Sequence, residues 1–71
     1  MKTYFTFGYD HIHKIGDKVF DKDVVAVIEA PSESSAREFA FEVFGREWAT
    51  SYTSLELVGM HHYPRGLLEV T

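Results

Sequence analysis

The stretch PSESSAREFAFEVFG, residues 31–45, decides how this chain folds. Pro31 cannot donate to a ladder, so it closes whatever strand precedes it. Ser32 is a good N-cap, because its hydroxyl can accept from a free backbone N–H of the first turn. Glu33 follows, where the helix dipole favours an anion. Ala36, Phe39, Ala40, Val43 and Phe44 then recur at the spacing of one helical stripe, while Arg37, Glu38 and Glu42 fall elsewhere. Gly45 stands where a helix ends. The segment predicts one amphipathic helix over 32–45 whose apolar stripe needs a surface to cover.

Outward from the helix, the flanking segments supply that surface. KTYFTFG at 2–8 alternates, with Thr3, Phe5 and Phe7 on one side and Lys2, Tyr4 and Thr6 on the other, which is the period of a strand. YDHIHKIGD at 9–17 is polar and glycine-closed, and reads as a connecting loop with Gly16-Asp17 in its last turn. KVFDKDVVAVIEA at 18–30 reads as a second strand. Its VVAVI run is β-branched and apolar on both faces, as a central strand is. After the helix, SYTSLELV at 51–58 alternates again and predicts a third strand, with Thr53, Leu55 and Leu57 opposite Tyr52, Ser54 and Glu56. LLEV at 67–70 predicts a short final strand. The expected fold is a single α+β domain over residues 1–71. It is a three- or four-stranded antiparallel sheet with one helix on a face, in the order β-β-α-β plus a short last strand. Phe5, Phe7, alternate residues of VVAVI, Leu55 and Leu57 are expected to meet the helix stripe.

The totals narrow the function classes. A 71-residue chain is one domain at most. Its 45% hydrophobic and 15% aromatic content argues against disorder. It has no cysteine, so disulfides, thiolate metal sites and thiol nucleophiles are excluded. The absence of disulfides in so small a domain points to a reducing cytoplasm, and no signal peptide or membrane-spanning run is visible. The net charge is −4, with seven Lys and Arg scattered along the sequence, which argues against a nucleic-acid partner.

The residues that could carry chemistry are few. His11 and His13 lie on one side of the chain if 9–14 is extended, and His61 or His62 could add a third ligand to a shared metal, with Asp10 orienting a ring. Histidines in loops are ordinarily solvated, so no metal or cofactor is expected; metal binding in a structural role is a third-ranked alternative. Histidine pairs also cleave RNA by general acid–base chemistry. A nuclease-like, nucleic-acid-associated protein is therefore the second-ranked alternative. Against it stand the few cations and the absence of a phosphate loop, nucleophile elbow or paired-carboxylate motif. No catalytic residue is assigned, and the chain is not expected to be an enzyme. Phe41 lies ~140° round the helix from Ala36, off the buried stripe. It is the candidate anchor of a protein interface, together with Tyr9 and Tyr63 if they share a patch with it. Such a patch would serve a partner protein or a homodimer. Trp48 and Tyr52 are expected to close the edge of the core, with the indole N–H on a carbonyl.

Two stretches carry a family resemblance. Thr6, Phe7 and Gly8 end a TFG strand. Ala36 and Arg37 open the helix, and Phe44, Gly45, Trp48, Ala49 and Tyr52 spell FGxxWAxxY after it. In these positions the chain resembles a family of small uncharacterised proteins encoded by phages and prophages of Gram-positive, especially actinobacterial, hosts. The resemblance spans most of residues 1–52 and does not include the histidines or the tail MHHYPRGLLEV. It implies a phage accessory protein, a binding module acting on a host or phage protein in the host cytoplasm. It carries over no catalytic residue.

Overall fold

The computed structural model describes residues 1–70. The strands are β1 (Lys2–Thr6), β2 (His13–Ile15), β3 (Lys18–Phe20) and β4 (Val24–Glu29), followed by the helix α1 (Glu33–Phe44). Then come β5 (Thr50–Tyr52), a single helical turn α2 (Leu55–Val58), a 3-10 turn at Met60–His62, and β6 (Gly66–Glu69). The architecture is a small α+β domain with a four-stranded sheet in the order β5-β1-β4-β6 and a separate two-stranded hairpin, β2-β3. The sheet is mixed. β1 is antiparallel to both β4 and β5, while β6 runs parallel to β4 with Ala26 opposite Leu68.

α1 forms where its sequence says it should. Ser32 sits in extended conformation, and its hydroxyl accepts from the Ser35 amide at 3.1 Å. The Ser35 hydroxyl accepts from the Ser32 amide at 3.1 Å, so two free donors of the first turn are satisfied reciprocally. Gly45 ends the helix at φ 64° and ψ −133°. That region is nearly closed to residues with a Cβ. A Cβ at Gly45 would meet no atom within 4 Å, so the constraint is purely in the backbone. Gly45→Ala is therefore expected to lower stability by about 1–3 kcal/mol. Thermal melting would show this as a drop of roughly ten degrees in so short a chain. An unchanged Tm would mean the helix does not end in this conformation.

Ala36, Ala40 and Phe44 are the buried line of α1, and Phe39 and Val43 flank it half-buried. The two alanines let the helix lie close on the sheet, and the Phe44 ring fills the space beyond its last turn. The pairing register puts Phe5 opposite Ala26 and Thr3 opposite Ile28. Phe5, Ala26, Ile28, Val24 and Phe7 therefore meet α1 in one core. The other residues of β4, Val25 and Val27, are also buried, as a central strand with two apolar faces requires.

The sheet is not antiparallel throughout as expected, because β6 lies parallel to β4, and three further expectations fail. Residues 18–30 are not one strand: Asp21–Asp23 turn between β3 and β4, with the Val24 amide on the Asp21 carbonyl. Residues 9–17 are not a plain loop, because 13–15 pair with 18–20 and Gly16-Asp17 is the turn of that hairpin. The hairpin delivers Phe20, fully buried, into the α1 core. Residues 51–58 do not run on as a strand. The Ser54 hydroxyl accepts from the Glu56 amide at 3.2 Å and caps a helical turn. Leu55 and Leu57, expected in the core, are exposed, and Val58 is the buried residue of that turn.

Candidate functional site

A surface pocket backed by aromatic rings lies between the end of α1 and β5. The chain leaves α1 at Gly45 and doubles back, so that the Ala49 amide bonds the Thr6 carbonyl at 2.8 Å and residues 50–52 pair with β1. This return brings Trp48 over the sheet. Its ring stands edge-on to the buried Phe5 ring, with centroids 5.0 Å apart. Phe41, 48% exposed, packs on Trp48 at 5.2 Å. Two aromatic rings are thus backed by the core and reach solvent. The Arg37 guanidinium lies over the Trp48 ring at 5.6 Å and reaches the Ser51 hydroxyl at 3.5 Å. Arg37, Arg46, Phe41, Trp48, Thr50 and Ser51 surround an open pocket of about 320 Å³.

The electrostatics of this pocket run against those of the whole chain. Among the described residues the side-chain ion pairs within 4.0 Å are Lys22–Asp23 and Arg65–Asp21, and neither Arg37 nor Arg46 has a carboxylate partner. The exposed carboxylates of Glu38 and Glu42 on α1 do not line the pocket. The Trp48 indole N–H does not find the expected carbonyl; it is buried with no hydrogen-bond acceptor among the described residues. Sequence reasoning singled out Phe41 and missed the arginines. They are separated along the chain, and only the reversal after Gly45 brings them together.

The candidate interface residues do not form one patch. Tyr9 and Tyr63 line a different pocket, of about 290 Å³, with Phe7, Gly8, Lys22, Asp23 and His62. Tyr9 is 83% exposed, with the Lys22 ammonium 5.3 Å from its ring centroid. Lys22 is held above its ordinary pKa first by its hydrogen bond to Asp23 and then by the charge of that carboxylate. Phe41 belongs to the other surface.

The four histidines are dispersed into local roles. The Gly8 amide donates to His11 Nδ1 at 2.9 Å, so that nitrogen's lone pair is committed to the backbone. A Cβ on Gly8 would meet the His11 ring at 3.3 Å, a tight contact that the ring would have to relieve by shifting. His13 Nε2 lies 2.7 Å from the Glu47 carbonyl and donates to it, while its ring packs on Phe7 and Phe44. His61 and His62 pack on each other, with centroids 3.9 Å apart. Among the described residues no three His, Asp or Glu side chains are grouped to hold a metal ion. No helix among them is long and apolar enough to cross a membrane.

Compared with known proteins, the chain matches no family model, no curated protein and no solved structure.

Proposed function

We propose that the chain is a non-enzymatic protein-binding module and that the α1–β5 surface is its recognition site. The observation that carries this reading is the half-exposed Phe41 ring braced on Trp48, flanked by Arg37 and Arg46, neither of which has a carboxylate partner among the described residues. Aromatic and arginine side chains are the types that dominate binding energy at protein interfaces. The ring pair is held in place by Phe5, so ordering it on binding costs little. The family resemblance supplies the biological setting: a phage-type accessory protein acting on a host or phage protein in the host cytoplasm.

A second reading, association with single-stranded nucleic acid, draws on the same stacking rings and arginines. The net charge of −4 weighs against it, because a strand needs a longer basic track. Capture from host lysate on the immobilised chain tests the first reading. The wild type is expected to retain a stoichiometric protein, and Phe41→Asp is expected to lose it while staying folded, with a lowered Tm. Tyr63→Asp, on the other surface, is expected to keep it. Retention by Phe41→Asp, or capture only of nuclease-sensitive material, would contradict the reading. Solution mass of the wild type tells whether the partner is a second copy.

A further inference from the structure

We infer that the free edge of β5 is a strand-addition site for an extended acidic segment of the partner protein. This inference rests on the reading of the α1–β5 surface as a protein-binding site and names what that site takes. β5 is the end strand of the sheet and is bonded on one side only, to β1. Proteins ordinarily blunt such an edge by shortening it or with lysine, proline or a bulge. The opposite edge is treated in this way: Pro64 precedes β6, and the Lys18 ammonium binds the Glu69 carbonyl at 2.7 Å. β5, Thr50-Ser51-Tyr52, is short but carries no lysine or proline, and the pocket beside it supplies side-chain contacts that its length does not.

The pocket beside that edge specifies the incoming strand. Thr50 and Ser51 form part of its wall, so a strand added to β5 runs along the pocket. Alternate residues of the added strand point to the α1 side. There they meet Phe41 and Trp48, which suit an apolar or aromatic side chain. They also meet Arg37 and Arg46, whose planar forks suit carboxylates. In a chain of net charge −4, this pocket is lined, among the described residues, by two arginines and no carboxylate, and its complement is an acidic ligand. The expected ligand pattern is an apolar residue with Asp or Glu two positions to either side. With a β5 this short, main-chain pairing sets orientation and the pocket supplies most of the selectivity.

The test is selection of short random peptides displayed on a neutral carrier against the immobilised full chain. Selected peptides are then measured in solution. Enrichment of Asp or Glu at alternate positions around an apolar residue is expected. Binding of a selected peptide should slow amide exchange at residues 50–52, and the Arg37→Ala/Arg46→Ala double variant should weaken it on the order of tenfold. Selected peptides without acidic enrichment, or oligo-dT binding at least as tightly at physiological salt, would overturn the acidic ligand. Acidic peptides that leave exchange at residues 50–52 unchanged would overturn strand addition. The Phe41→Asp capture experiment is scored on the partner complex, so its outcome is independent of both.

Discussion

Replacing Phe44 by alanine is expected to bring the chain to the edge of unfolding. Phe44 is 3% exposed and closes the core at the end of α1. Its ring lies 5.0 Å from Phe7, 5.3 Å from Phe20 and 4.9 Å from His13. These neighbours come from the end of β1, from β3 and from β2, so one side chain ties helix, sheet and hairpin together. Truncating a buried Phe to Ala costs about 3–5 kcal/mol. At roughly 0.05–0.15 kcal/mol per residue, a chain this short has a total stability of the same order. Urea denaturation is the measurement. A midpoint close to that of the parent would mean that Phe44 is not packed as described.

Phe20→Ala is expected to cost a similar amount, about 3–5 kcal/mol, and it tests a different element. Phe20 is fully buried although it stands in a three-residue strand outside the main sheet. If the hairpin were a solvated appendage, the substitution would be nearly silent. Leu57→Ala is the matched control, since Leu57 is 68% exposed and should be lost at little cost. Because Phe20 and Phe44 are in contact, the double variant should lose less than the sum of the single losses.

What was legible in the sequence was what is decided locally. α1 announces itself through Ser32, the stripe through Ala36, Ala40 and Phe44, and Gly45, all within one stretch. β1 and β4 show the alternation and the β-branched run that their pairing needs. The hairpin was hidden because its two strands are three residues each, with Lys14 on the outer face and Lys18 standing on the same face as Phe20. Phe20 betrays its role only when Gly16-Asp17 is placed as a two-residue turn between Ile15 and Lys18. Residues 51–58 misled because alternation over so short a run cannot distinguish a strand from a capped helical turn. Ser54 as cap and Gly59 in left-handed conformation at the turn's end decide for the turn. The parallel placement of β6 beside β4 is a long-range pairing with no local signature.

The candidate site divides the same way. Phe41 was legible as an aromatic off the buried stripe of an otherwise regular helix. Trp48 was legible as an edge residue, but its unpartnered indole N–H was not. The convergence of Arg37 and Arg46 depends on the chain doubling back after Gly45 to make β5. Two of the seven cations are thereby brought to one pocket, and the others stay dispersed. The histidines went the other way: His11 and His13, paired in the sequence, hold different backbone groups in the fold.

The central claim is that α1, the sheet and the hairpin enclose one aromatic core, which in turn positions Trp48 and Phe41 at the surface. The most direct measurement is a carbon-edited nuclear Overhauser spectrum of the labelled chain. Cross-peaks are expected from the Phe44 ring to the Phe7, Phe20 and His13 rings, and from the Trp48 indole to both Phe5 and Phe41. Absence of the Phe44–Phe20 and Trp48–Phe5 cross-peaks in a folded sample would contradict it.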